Sequence, residues 1–357
     1  MTKTPTLEDV ARKAGVSSMT VSNVLTGRRH VRPATRERVE AAIAETGYRA
    51  NVMARALAGG RNRIISVFTP QLNRPYAAEV VQGAAEAAAR LAYDLVVMMQ
   101  APQSHADFST LTRLSVGALL IQPPDATDWT AGNLPEFVVS VDGPSAWPLR
   151  VDNYSGACQA VAHLLELGHT RIGLITGLEA EPDPGAGAPA AQDAYRRDDA
   201  HERLRGSLDT LHRAGRAVAP EHLWHGDFTL HSGMQGAQAL LTTAEPPTAL
   251  FVAGDAMAVG AMHAAQNLGY RIPEDLSVVG FDDLPLASTS RPALTTVQQP
   301  LQRLGEVAIE LLVALDQGQA FPMPAPFATT LIVRGSTARP RHGDPPSGRG
   351  HPVDQTP

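Results

Sequence analysis

The chain has 357 residues, 43% of them hydrophobic, which is enough for two or three domains with buried cores. No apolar run reaches the ~18 residues of a membrane span, the start Met1-Thr2-Lys3-Thr4-Pro5 carries no apolar signal segment, and a single cysteine, Cys158, excludes an internal disulfide framework or a cysteine metal cluster; a cytoplasmic protein without a membrane partner is expected. The net charge of −6 hides an asymmetry, because residues 1–63 carry 12 Lys and Arg against 5 Asp and Glu, a charge of +7, while the remainder carries −13; a nucleic-acid partner is expected at one end only.

Residues 1–47 predict three short helices. Thr6, with Asp9 three residues on, can cap the first, whose apolar face is Leu7, Val10, Ala11 and Ala14, and Gly15 stops it. Ser17 can cap a second helix running to Leu25 with Val21 and Val24 inward. Pro33 suits the first position of a third, which presents Val39, Ala42 and Ile43. Residues 48–60 are a connector. Its segment 51–58 has good helix formers, but eight residues make a marginal helix in water, and Gly59-Gly60 breaks it.

From Arg63 short apolar strands alternate with helices. Strands are expected at Ile64–Phe68, Leu95–Met99, Ala118–Ile121, Phe137–Val141, Ile172–Thr176, Ala249–Ala253 and Val278–Phe281. Helices are expected near 76–92, 154–167, 200–214, 231–242 and 256–268, and a helix at 301–316 and a strand at Thr329–Val333 close the chain. Such alternation implies parallel sheets covered on both faces, and the length suggests two of them. Residues 179–194, rich in Pro, Ala and Gly, and the tail 339–357 have little to bury and are expected to be disordered.

A helix-turn-helix needs a small residue where two helices touch, a Gly between them and an apolar residue inside the second helix. Ala11, Gly15 and Val21 meet this at spacings of four and six. The longer string from Thr6 to Leu25 (TLEDVARKAGVSSMTVSNVL), followed by Thr35-Arg36-Glu37-Arg38-Val39 and Gly47-Tyr48-Arg49-Ala50-Asn51, resembles the head of the lactose-repressor (LacI/GalR) family. The body carries matching blocks at Val151-Asp152-Asn153, 167–173, Asp255–Ala258, 272–283 and Pro292–Val297.

The resemblance implies an all-α helix-turn-helix head (1–47), a hinge helix or linker (48–60) and an α/β body like the periplasmic binding proteins, with two parallel-sheet subdomains (61–338). It implies a homodimer on near-palindromic double-stranded operator DNA. Ser18 and Met19 stand where the family reads bases, and Asn23 stands where many members have Arg; Asn suits adenine and Arg suits guanine. Thr20, Ser22, Thr35 and Arg36 match phosphate-holding positions, which set register. Leu57 matches a minor-groove wedge. Asn51 begins the hinge helix, although Ala50 replaces the usual Pro.

In the body the resemblance places a small-molecule effector between the subdomains, at Tyr76, Asp152, Arg203, Phe228 and Asp282. Gly254 replaces a frequent Asn, so one ligand amide is missing, and Asp255 is expected to cap the helix that follows. A saccharide is the first expectation and a nucleoside or purine the second. No cofactor or metal is implied. No Gly-x-Ser-x-Gly, His-Glu-x-x-His or phosphate loop supports an enzyme, and His222 and His225 lack further metal ligands around them. A sugar-binding transport protein is the other alternative, and the basic head and the unleadered N-terminus oppose it.

Overall fold

The computed structural model describes residues 5–26, 31–48, 63–69, 72, 74–99, 115–121, 135–143, 145–177 and 191–341. The connector with Asn51, Leu57 and Gly59-Gly60, the stretch 179–190 and the tail beyond 341 lie outside them.

In the head, α1 (Leu7–Ala14), α2 (Ser18–Thr26) and α3 (Pro33–Thr46) fold as their caps dictate. Thr6 Oγ1 accepts the Asp9 amide at 3.3 Å and Asp9 Oδ2 accepts the Thr6 amide at 3.0 Å, so each satisfies a donor that the first turn leaves open. Gly15 ends α1 at φ 64°, a left-handed conformation that glycine adopts without a Cβ penalty. Ser17 Oγ takes the Thr20 amide at 3.2 Å and starts α2. Val10, Ala11, Ala14, Val21, Val24, Val39 and Ala42 meet in one buried cluster, the expected set, with Leu7 and Ile43 half-buried at its edge.

The first subdomain holds β1 (Ile64–Thr69), α4 (Pro75–Arg90), β2 (Asp94–Met99), β3 (Gly117–Ile121), β4 (Phe137–Val141) and β5 (Trp147–Leu149). Its sheet is parallel throughout, in the order β2-β1-β3-β4-β5. Strands β1 and β3 are buried along their whole length, which explains their unbroken apolar runs. The second subdomain holds α5 (Asn153–Glu166), β6 (Ile172–Thr176), α6 (Ala191–Arg213), β7 (Leu223–His225), α7 (Leu230–Leu241), β8 (Ala249–Val252), α8 (Asp255–Asn267), β9 (Ser277–Asp282), α9 (Pro285–Thr289), β10 (Thr295–Gln298) and β11 (Thr330–Ile332). The order is β11-β10-β9-β8-β6-β7, parallel except for the antiparallel pair of β10 and β11.

Between β10 and β11 the chain returns to the first subdomain as α10 (Leu301–Asp316). Leu304, Ala308, Leu311 and Leu312 of α10 share a core with Val80, Ala84, Leu119 and Val139. Helices α4 and α10 approach so closely that a Cβ at Gly83 would overlap the Gln302 backbone and one at Gly305 the Val80 carbonyl. The chain therefore passes between the subdomains three times, after β5, after β10 and before β11. Two passages run side by side: the Phe327 amide donates to the Arg150 carbonyl at 2.8 Å and the Asp152 amide to the Phe327 carbonyl at 2.9 Å.

One expectation is corrected here, and four short elements are added. Residues 191–194, read as disordered, already belong to α6, because the segment from Ala191 is continuous with the helix that buries Ala200, Arg203 and Leu211. Strands β5, β7 and β10 and helix α9 were not anticipated. Each is three to five residues long, too short for a period to show.

Candidate functional site

On the head, α2 carries the expected reading residues at its start. Met19 is 69% exposed and so available to a partner. Asn23 lies one turn further on and is half-buried. Thr20 Oγ1 is hydrogen-bonded to Ser17 Oγ at 2.9 Å, while Ser22 is half-buried beside the core residue Val21. Thr35 and Arg36 lie in the first turn of α3, where backbone amides favour an anion; the Arg36 guanidinium is 4.0 Å from Glu40, an exposed pair of little energetic weight.

In the body a cleft with an empty volume of about 740 Å³, its open mouth included, lies where strand carboxyl ends from both subdomains face each other. The first subdomain contributes Arg74 and Tyr76 at the start of α4 and Asp142 just beyond β4. The second contributes Asp199 and Arg203 on α6, Phe228 before α7, Gly254 before α8 and Asp282 at the end of β9. Four of the five expected effector residues, Tyr76, Arg203, Phe228 and Asp282, thus converge.

Arg203 is the centre of the cleft's second-subdomain wall. Its guanidinium lies over the Phe281 ring, 4.0 Å from the centroid. Nε donates to Asn153 Oδ1 at 2.8 Å, and Nη1 donates to the Ala253 carbonyl at 2.6 Å and to Asp282 Oδ1 at 3.5 Å. Asn153 Nδ2 donates onward to Asp199 Oδ1 at 2.8 Å, and Gln299 Nε2 donates to Asp282 Oδ1 at 2.6 Å. Burial pushes the Asp282 carboxyl up to about 6, a rise that the Arg203 charge and the Gln299 hydrogen bond restrain. Tyr76 Oη is buried near the Asp142 carboxylate and makes no hydrogen bond of ordinary geometry among the described residues. Burial first, and then the carboxylate of Asp142, hold its phenol well above the usual range.

Asp152 does not reach the cleft. It caps α5, accepting the Ser155 amide at 2.9 Å, which satisfies a donor of the first turn. Asp255 is a second correction. It is the first residue of α8, one past the cap position, and makes no cap; it is buried, and its two oxygens accept the Leu284 amide at 2.7 Å and the Thr296 hydroxyl at 2.5 Å. It thereby fastens the turn after Asp282 to β10. Burial and then the neighbouring Asp282 charge raise its pKa well above the ordinary value.

Asp142, Asp199 and Gln299 were missed. Asp199 stands one helical turn before Arg203, a signal available once α6 is known to begin at Ala191. Asp142 follows the apolar run of β4, where strand-end polar residues mark ligand sites in such folds. His222 and His225 are engaged separately, with the Glu245 carbonyl and the Thr176 hydroxyl. Among the described residues no group of His, Cys, Asp and Glu gathers to hold a metal, and no helix is long and apolar enough to cross a membrane.

A helix-turn-helix head joined to a two-subdomain ligand cleft defines a DNA-binding regulator that senses a small molecule. Comparison with known proteins gives the family. The model for bacterial regulatory proteins of the lacI family matches residues 6–51, and the model for periplasmic binding protein-like domains matches residues 161–337. The chain is 36% identical over 346 residues to the HTH-type transcriptional repressor CytR of Escherichia coli (strain K12), across 93% of this chain and 96% of that protein. It is similar to the lac repressor dimer bound to operator and the anti-inducer ONPF, with a TM-score of 0.78, 32% identity and coverage of 94% and 100% of the two chains. It is similar also to the transcriptional regulator CelR in complex with cellobiose, with a TM-score of 0.65, 30% identity and coverage of 93% and 99%. The chain belongs to the lacI family and is a DNA-binding transcriptional regulator, not an enzyme.

Proposed function

We propose that this regulator is a repressor that binds a near-palindromic operator as a homodimer and is released by a small-molecule effector, a saccharide, bound between the subdomains. Ser18, Met19 and Asn23 read base edges; Thr20, Ser22, Thr35 and Arg36 hold phosphates; Asn51 and Leu57 belong to a hinge segment within 48–60 that bends the operator. The division into head (1–47), hinge (48–60) and body (61–338) follows the same reading, as does residence with the DNA in the cytoplasm.

The convergence of Tyr76, Phe228, Arg203 and Asp282 in one cleft carries the proposal. Aromatic faces suit the C–H faces of a sugar ring, and a charged, hydrogen-bonded pair suits its hydroxyls. The cellobiose complex of CelR supports a saccharide. A nucleoside is the second reading, favoured by Gly254: a Cβ there would stand 3.2 Å from the Phe228 ring, so its absence leaves that aromatic face open to a flat base.

A thermal-shift series of sugars and nucleosides, followed by operator titration with each compound that binds, tests the proposal. A hundredfold excess over the dissociation constant raises stability by ~2.7 kcal/mol. Stabilising compounds that leave operator affinity unchanged would remove the regulatory role of the cleft.

A further inference from the structure

Helix α10 crosses the first subdomain with an anchor at each end. Just before it, Gln299 is buried and donates to Asp282 Oδ1 of the second subdomain at 2.6 Å, on the wall of the cleft. In its first turn Gln302 Nε2 donates to Glu79 Oε2 of α4 at 2.8 Å, and the close contact at Gly305 follows. Leu304, Ala308, Ile309, Leu311 and Leu312 are fully buried, so the helix cannot shift without the core around it. Over its 16 residues, a length of ~24 Å, it runs to Asp316, whose Oδ2 accepts the Tyr93 hydroxyl at 2.6 Å.

An aspartate in the last turn of a helix meets the negative end of the backbone dipole, and the last turn of α10 carries no basic residue to offset it. Its compensation is the Tyr93 hydroxyl. Tyr93 is buried; burial first, and then the bond to Asp316, raise its phenol above the usual range, so it stays protonated and donates. Against its ring lies the Arg63 guanidinium, 5.9 Å from the centroid. Arg63 is where the described body begins after the connector. Its carbonyl accepts the amide of Asp94, the residue after Tyr93, at 2.8 Å, and the Ile64 carbonyl accepts the Val116 amide at 2.8 Å. Ring and backbone thus hold the same point of the chain.

Beyond the effector reading above, we infer that α10 is a strut between the cleft and the root of the connector, and that Tyr93 and Asp316 are positioning residues for DNA binding. A movement of Asp282 against the first subdomain pulls at Gln299, and the buried helix carries it to Asp316, Tyr93 and Arg63, where the single chain segment to the head leaves the body. Tyr93 and Asp316 act through Arg63, fixing where that segment is rooted.

A double-mutant cycle on the full chain tests this, with a duplex selected by the wild-type protein from a random pool as the probe. Gln299→Met, which keeps the bulk and removes the donor, should change affinity for that duplex by about threefold or more. In the Tyr93→Phe background, or in Asp316→Ala should that chain not fold, the same change should have almost no effect. Asp316→Asn, which keeps an acceptor for the Tyr93 hydroxyl, should restore the effect to its wild-type size. Residues that served stability alone would not give this pattern, because groups ~24 Å apart without a shared partner act independently. Equal effects of Gln299→Met in both backgrounds, no effect in the wild-type background, or no rescue by Asp316→Asn overturns the strut. No effector enters the cycle, so an additive result removes the strut and leaves the saccharide reading standing.

Discussion

Asp282 and Asp283 follow each other at φ 115° and 59°, and Asp142 and Phe228 sit at 53° and 66°. Four of the five positive-φ side-chain residues in the described chain thus gather at or beside the cleft. Each costs on the order of 1–3 kcal/mol and persists only where neighbours hold it. Gln299 and Arg203 grip Asp282, while Gln298 and Arg334 grip Asp283 at 2.9 and 2.6 Å. A carboxyl whose pKa is raised on folding favours the folded state below its unfolded pKa near 4 and loses that advantage as the pH climbs through about 6. The stability of Asp282→Asn relative to wild type should therefore improve between pH 4 and 7, on the order of 2 kcal/mol. Urea unfolding of both proteins at several pH values checks this, and a pH-independent difference would mean that Asp282 does not titrate in that range. On the head, Asn23→Arg should shift base preference at one operator position from adenine towards guanine, by ~1–3 kcal/mol of discrimination. Equal loss on all operator variants in a binding panel would exclude direct readout by this residue.

At the scale of elements, α1 depends on its cap more than on its length. Eight residues form no stable helix alone, and the reciprocal Thr6–Asp9 bonds satisfy the donors that would otherwise face water unpaired. Thr6→Ala should destabilise the head by ~1 kcal/mol and leave the unfolding of the body unchanged. Calorimetry of the full chain would show this as a fall in one transition only. The α4–α10 contact makes the opposite demand, since it works only without side chains. Gly305→Val would drive a branched side chain into the Val80 carbonyl and force the helices apart, with an expected loss of ~1–3 kcal/mol from the first subdomain. Helix α10 reaches that subdomain only after the chain has completed most of the second, so the same loss should weaken the interlock between them. Urea unfolding followed by the fluorescence of Trp147 and Trp224, one in each subdomain, in a chain with Trp129→Phe, measures both effects.

At the scale of the whole molecule, residues 1–63 carry +7 against −13 on the remainder, an asymmetry that should turn that end of the chain towards DNA. Operator affinity should fall steeply with salt, each neutralised phosphate adding ~0.9 to the log–log slope, and Arg36→Ala should lower that slope by about one on operator and random DNA alike. Titrations from 50 to 200 mM salt measure it. The three passages between the subdomains allow closure about the paired strands at Arg150 and Phe327, so ligand binding can bias one arrangement over the other. Coupling of ~1–3 kcal/mol would change operator affinity 5- to 150-fold, and operator should change effector affinity by the same factor. Arg203→Ala should abolish that response while ligand-free operator binding stays near wild type, because Arg203 lies in the body. If the variant still responds as wild type does, the effector binds elsewhere.

Local chemistry was sufficient for the head. Caps, a turn glycine and a period of 3.6 residues act within a few positions of one another, so Thr6, Gly15, Val21 and their neighbours disclose three helices and their core before any tertiary contact forms. The alternation of buried strands with helices disclosed the class of the body for the same reason. The cleft was legible in part. Tyr76, Arg203, Phe228 and Asp282 stand in recognisable strings, whereas Asp142 and Asp199 are marked only by a strand end and a helical turn, and become site residues when the two sheets face each other. The fates of Asp152 and Asp255 were likewise tertiary decisions. Both are acidic residues at the start of a helix; the sequence reading put Asp152 in the cleft and Asp255 at a cap, and the structure makes Asp152 the cap instead. One carboxylate finds the Ser155 amide of its own helix; the other finds Leu284 and Thr296, 29 and 41 residues away, which only the packing of α8 against β9 and β10 brings within reach. A carboxylate accepts from whichever donor the fold presents, and that donor is chosen by the backbone's path through space rather than by its neighbours in the chain.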